Sequence, residues 1–189
     1  LNPVITQTSK IKSDPRIMQS SLKTILSVGR LGPEKNHRCL ISAFAIVSPV
    51  YPNWCLRIVG EGMLRADLEA QTRSLGLQDK VYFPGAISDI DAEYLNSDLF
   101  VSPSLYESFG LATVEALLNG LPAVGFNDCQ GTNDLIIHNE NGMLVSGPNR
   151  IQSLALTLKD LMGNPQELNR LSNAPKDRHP DHGRASQLV

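Results

Sequence analysis

The sequence predicts an α/β fold in which a parallel sheet is flanked by helices, and two patterns predict it. Short apolar runs end repeatedly in glycine or polar turn residues, and most are followed by a longer segment whose apolar residues recur at helical spacing. That alternation is the signature of βα units crossing over between parallel strands. With 189 residues the chain is long enough for one well-filled core and too short for two ordinary domains.

Residues 1–23 are polar and interrupted by Pro3 and Pro15, which reads as a linker ahead of a domain over 24–173. Thr24-Ile-Leu-Ser-Val-Gly29 is the first strand, and Leu40, Phe44 and Val47 mark one face of a helix ending near Pro49. Leu56 to Gly60 is a second strand. Leu64, Leu68 and Leu75 mark the helix returning before Gly76, and Val81-Tyr-Phe is a short third strand. A polar helix over Asp89 to Asn96 leads to the strand Leu99 to Ser102. A helix from Gly110 to Asn119 follows, stopped by Gly120 and Pro122. Ala123 to Phe126 and Gly142 to Val145 are the last strands, and Ile151, Leu154, Leu158 and Leu161 define a surface helix ending at Gly163. The periodicity stops near Asn173, and the polar residues 174–189, with Pro175 and Pro180, read as a weakly attached tail.

A formal net charge of −2 without blocks of like charge gives no footprint for nucleic acid or an anionic membrane surface. Cys39, Cys55 and Cys129 form neither a disulfide framework nor a zinc knuckle and read as buried, inert thiols in a reducing cytosol. No apolar run approaches the roughly 18 residues of a membrane helix. His37, at a helix start, and His138, in a polar turn, read as surface residues. The spacing of His179 and His182 within the tail lacks a third ligand.

In an open parallel sheet, ligands bind at the carboxyl ends of strands, so residues following strands carry the chemistry. After the first strand, Gly29-Arg30-Leu31-Gly32-Pro33-Glu34-Lys35 presents two cations. They fit a diphosphate clamp, or equally an exposed turn with solvated charges. Gly60-Glu61-Gly62 lets backbone approach a neighbour closely, yet lacks the third glycine of a dinucleotide fingerprint and reads alone as a strand-to-helix turn. The strongest segment runs from Ser104 to Pro122. Glu107 follows a strand, and Glu115 sits in the next helix among Val114, Ala116 and Leu117, where a carboxylate requires a polar cleft or a specific partner such as ribose hydroxyls. Gly110 leaves backbone amides open at the start of that helix, which favours an anion. The bland alternative makes Glu115 a solvated helix residue and Glu107 an amino-terminal cap.

Gly29-Arg30 through Glu34-Lys35-Asn36, Gly60-Glu61-Gly62 with Leu68, Phe83-Pro84-Gly85, and Glu107 with Glu115 after seven intervening residues together resemble the carboxy-terminal domain of family 4 (group 1) retaining glycosyltransferases. Leu1-Asn-Pro-Val4 is similar to the segment by which that domain begins. The resemblance implies the GT-B architecture of two facing Rossmann-like domains, with the donor nucleotide sugar bound mainly by this half. It also implies retention of anomeric configuration and no metal or other cofactor. Arg30 and Lys35 would then bind the donor diphosphate and stabilise the leaving nucleotide, and Glu107 would contact the donor sugar; these three are the catalytic candidates. Backbone around Gly29, Gly60 and Gly62 and from Ser108 through Phe109, Gly110 and Leu111 would touch sugar and phosphate. Glu115 would bind the ribose, and Gly85, Ala86 and Ile87 would lie against the base. The donor would be a UDP-, GDP- or ADP-sugar, with nothing to choose the base.

Two departures stand out. Gly131-Thr132-Asn133-Asp134 replaces the family's glycine-proline pair and acidic residue, and the tail lacks the helix that usually crosses back to the other domain. The acceptor-binding domain has no counterpart in these residues, so the chain alone is expected to be inactive. The whole enzyme is expected in the cytosol or at the inner face of the membrane. A glycosidase carboxylate pair has no use for an arginine-lysine clamp. A non-catalytic nucleotide-binding or scaffolding module, or part of a GT-B epimerase or phosphorylase, are the competing readings.

Overall fold

A computed structural model describes residues 22–174. The expectations placed on Leu1-Asn-Pro-Val4, on most of the linker and on the tail with His179 and His182 lie outside the described residues.

Six parallel strands form one sheet: β1 (Lys23–Val28), β2 (Trp54–Val59), β3 (Val81–Gly85), β4 (Leu99–Ser102), β5 (Ala123–Phe126) and β6 (Gly142–Val145), in the spatial order β3-β2-β1-β4-β5-β6. The chain starts at the centre, winds outward to β3, returns to lay β4 against β1 (Ile25 beside Leu99, Leu26 beside Phe100), and winds out the other way. The reversal between β1 and β4 opens a crevice at their carboxyl ends. Pro84 sits in β3, at the sheet's edge, where a missing ladder donor is tolerated.

Alternation along the strands divides the core in two. On one face Ile25, Leu56, Ile58, Leu99, Val101 and Val124 pack beneath helices α1 (His37–Val47), α2 (Arg65–Ser74), α5 (Arg150–Met162) and α6 (Pro165–Ser172). On the other, Leu26, Val59, Phe100 and Ala123 pack with Tyr94 of α3 (Ile90–Leu95) and Ala116 of α4 (Leu111–Leu118). Helix α5 does more than line the surface: Leu154, Ala155, Leu158, Leu161 and Met162 are buried and complete the main core against α1. Leu75, expected on the buried face of α2, is exposed at its end.

The sequence reading has no counterpart of α6. Asn164 caps it by accepting from the Glu167 amide at 3.1 Å, Pro165 occupies its first position, and Leu168 and Leu171 enter the core. The cap and the proline are start signals present in the sequence.

Candidate functional site

Two loops face each other across the crevice. The loop after β1 carries a single 3₁₀ turn, Pro33–Lys35, closed by Asn36 in the left-handed conformation at φ 51°. The loop after β4 runs from Pro103 to Gly110. The Leu105 amide donates to the Glu34 carbonyl at 2.9 Å, and Asn36 Nδ2 donates to the Pro103 carbonyl at 3.3 Å. These bonds bring Lys35 Nζ to 2.6 Å from Glu107 Oε1. Ser104, itself buried, donates to the same oxygen at 2.8 Å. Both bonds fall on Oε1. Glu107 is therefore not the cap of α4; that position belongs to Gly110 at φ 61°, which offers no side-chain hydrogen bond.

Between the loops lies a cleft of about 370 Å³ lined by Gly29, Arg30, Lys35, Glu107, residues 108–112 and Glu115. It unites the three catalytic candidates with Gly29, Ser108, Phe109, Gly110, Leu111 and Glu115 among the expected donor contacts. Arg30 reaches into solvent with 74% of its side chain exposed and pairs with Glu34 at 2.8 Å; its guanidinium, followed by Glu34's own backbone amide, holds the Glu34 carboxyl below the usual range. Glu115 is exposed on α4, and its Oε2 accepts from Tyr94 Oη at 2.8 Å, the specific partner its apolar neighbours demanded.

Gly60, Gly62, Gly85 and Ile87 do not line this cleft. At Gly60 (φ 138°) a Cβ would overlap the Gly29 carbonyl oxygen, and at Gly62 it would meet the Leu31 backbone. The missing side chains thus admit the backbone of the cation-bearing loop. That loop is stitched down by Gly29 N to Val59 O at 3.0 Å and Leu31 N to Glu61 O at 2.9 Å. Gly85 ends β3 at φ 86° against Glu61, and Ile87 packs on the second core.

His37 corrects its expectation. It is 2% exposed, because its position continues the buried stripe of Leu40, Ile41 and Phe44 along α1. Its Nδ1 has no hydrogen-bond partner, and burial together with the Lys35 charge pushes the imidazole down to about 4. His138 is exposed as expected, its Nδ1 accepting from the Leu144 amide at 3.0 Å. All three cysteines are buried and burial raises their thiols, Cys39 to about 11.

At Gly131, φ 83°, a Cβ would collide with the Glu107 carbonyl oxygen, so this glycine of the unusual stretch lets the backbone pass close to the site loop. Three supporting residues escaped the sequence reading. Ser104 stood inside the strongest motif without a role. Tyr94 and Arg150 become visible only in three dimensions. Arg150 lies 3.7 Å over the Phe126 ring, pairs with Asp128 at 2.6 Å and donates to the Ser104 carbonyl at 3.1 Å, tying three loops together.

The cleft lies where ligands are bound in open parallel sheets, at the reversal of strand order between β1 and β4. The family model described as "Glycosyl transferases group 1" matches residues 10–178, and the chain belongs to that family. It is 34% identical over 161 residues to an uncharacterized glycosyltransferase of Haemophilus influenzae, covering 85% of this chain and 45% of that protein. Anabaena HepE, solved in complex with UDP and glucose, superposes with a TM-score of 0.74 to 0.75 at 26% identity, over 89% of this chain and 46% of its own. The C-terminal domain of the group 1 glycosyl transferase LpcC from Francisella tularensis matches at a TM-score of 0.73 and 26% identity, over 80% of each chain. The chain thus spans about half the length of the first two and most of the third. No helix among the described residues is long and apolar enough to cross a membrane.

Proposed function

We propose that this chain binds the nucleotide-diphosphate sugar donor of a retaining, metal-independent hexosyl transfer to a glycan or lipid-linked acceptor, and that a second domain supplies the acceptor. The observation that carries the reading is the cleft itself: two cations, two carboxylates and the start of α4 line one space at the β1/β4 reversal. Arg30 and Lys35 neutralise the diphosphate as the bond from the anomeric carbon to the phosphate oxygen breaks and its electron pair leaves with the nucleotide. Amides at the start of α4 add their partial positive charge. Glu107 accepts hydroxyls of the sugar, and Glu115 those of the ribose. HepE's complex with UDP and glucose supports a donor of this class. The exposed Phe109 and Leu111 give the cleft an apolar rim suited to a facing domain, and Leu105 and Tyr106 are exposed on the same loop.

Calorimetric titration with UDP, GDP and ADP tests this. One nucleotide is expected to bind, and Arg30→Ala and Glu115→Ala each to weaken it about tenfold or more. Arg30 is an exposed half of a surface pair, so its loss leaves thermal stability nearly unchanged. A folded chain that binds none of the three refutes the donor site and favours the scaffolding reading.

A further inference from the structure

Glu115 is held by a residue that no part of the donor-site reading uses. Tyr94 lies on α3, only 1% exposed, with its ring in the second core and tilted 57° against Phe100 at a centroid distance of 6.1 Å. The ring has no freedom to swing. Helix α3 has six residues and could not hold a position alone, but Glu93, beside Tyr94, takes the Arg57 guanidinium of β2 on both carboxylate oxygens in a buried pair. The phenol is thereby fixed from the sheet on one side and from the core on the other, and its hydroxyl emerges beneath α4 to donate to Glu115 Oε2 at 2.8 Å. Burial and the adjacent carboxylate push this phenol well above the usual tyrosine range, so it stays a donor throughout the working pH range.

A glutamate on an open helix face has three torsions to freeze before it can hold a ligand, and freezing them beforehand increases affinity. We infer that Tyr94 is the positioning residue of the nucleotide subsite: by engaging Oε2 it sets the rotation of the Glu115 carboxylate and presents Oε1 to the ribose hydroxyls. The inference rests on the donor-site reading above, in which Glu115 is the ribose acceptor.

The test is titration of the full chain, Tyr94→Phe, Glu115→Ala and the control Leu168→Ala with UDP, GDP and ADP and with their 2′,3′-dideoxyribose forms. Tyr94→Phe is expected to weaken the ribose form about 3- to 10-fold, the worth of one hydrogen bond, while the dideoxy form binds both proteins alike. The preference for ribose therefore shrinks. Leu168→Ala loosens the main core on the other face of the sheet, away from the cluster that holds Tyr94, and keeps the preference. A preference ratio is independent of the fraction folded, so partial unfolding of a variant does not obscure it. A Tyr94→Phe protein with the wild-type ratio overturns the inference while leaving the donor site standing, provided Glu115→Ala abolishes the preference. If Glu115→Ala keeps the preference, or if the wild-type chain binds no nucleotide, the donor-site reading fails and this inference with it.

Discussion

Lys35 Nζ and Glu107 Oε1, 2.6 Å apart, join the loops that leave the two central strands. The side chains are 22% and 14% exposed, so neither charge is well solvated without the other. In the donor-site reading proposed above, an incoming diphosphate meets a lysine already oriented by its carboxylate, to which Ser104 also donates.

Removing one partner leaves a largely buried charge alone. Lys35→Met is expected to cost about 2 kcal/mol, below the 3–5 of a fully buried pair because water still reaches the rim. Adding Glu107→Gln is expected to recover part of that loss. A double-mutant cycle by urea unfolding reads the coupling directly, and additivity of the two changes would show that the pair contributes nothing to the fold.

Gly60 tests what the glycines after β2 are for. Its φ is 138° and a Cβ would overlap the Gly29 carbonyl oxygen, whereas at Gly76, φ 69°, nothing lies within 4 Å. Gly76→Ala is expected to cost about 1 kcal/mol of backbone strain alone, and Gly60→Ala about 2–4 kcal/mol from strain plus collision. Thermal melts of the ligand-free protein measure both. Equal costs would mean that the cation-bearing loop moves aside freely.

Those glycines show where sequence reasoning reached its limit. The six strands and helices α1 to α5 were legible because each announces itself locally, through apolar runs such as Ile25-Leu26 or the period of Leu154 and Leu158. Arg30, Lys35, Glu107 and Glu115 were legible as a group because each belongs to a loop or helix following β1 or β4. The neighbours that hold them were not. Gly60 meets Gly29, Tyr94 reaches Glu115 and Arg150 reaches Ser104 across long stretches of chain, and no local pattern encodes such meetings. The burial of His37 is encoded locally, since its spacing to Leu40, Ile41 and Phe44 is that of a buried stripe.

That burial makes His37 an acid-sensitive point. Its folded value of about 4 lies below the unfolded 6.5, so between these values the unfolded chain holds the extra proton and stability falls as pH drops. The contribution is intact above about pH 6.5 and is lost by about pH 4, in total roughly 3 kcal/mol. His37→Gln is expected to flatten the dependence of the melting temperature across this window, whatever it does to the melting temperature at pH 7. An unchanged slope would assign the acid sensitivity to other groups.

Arg57 and Glu93 form the most deeply buried ion pair among the described residues, with Arg57 Nη2 2.8 Å from Glu93 Oε1 and Arg57 Nε bonded to Oε2. The pair crosses from β2 to α3 at the point where the register with β3 shifts between Arg57 and Val59. Each ion loses its hydration there, so the net worth of the intact pair is small while the cost of breaking it is large. Glu93→Leu alone is expected to destabilise the fold by about 3–5 kcal/mol, and Arg57→Leu by a similar amount. The double substitution, which removes both charges and fills the space with apolar groups, is expected to fall within about 1–2 kcal/mol of wild type. Denaturant midpoints at matched slopes decide this. Because α3 carries Tyr94, the singles are also expected to loosen the Glu115 hydrogen bond, so their nucleotide affinity falls further than that of the double. Losses that simply add in the double would mean that the two charges are each anchored by other groups, and that α3 is held to the sheet by its apolar contacts alone.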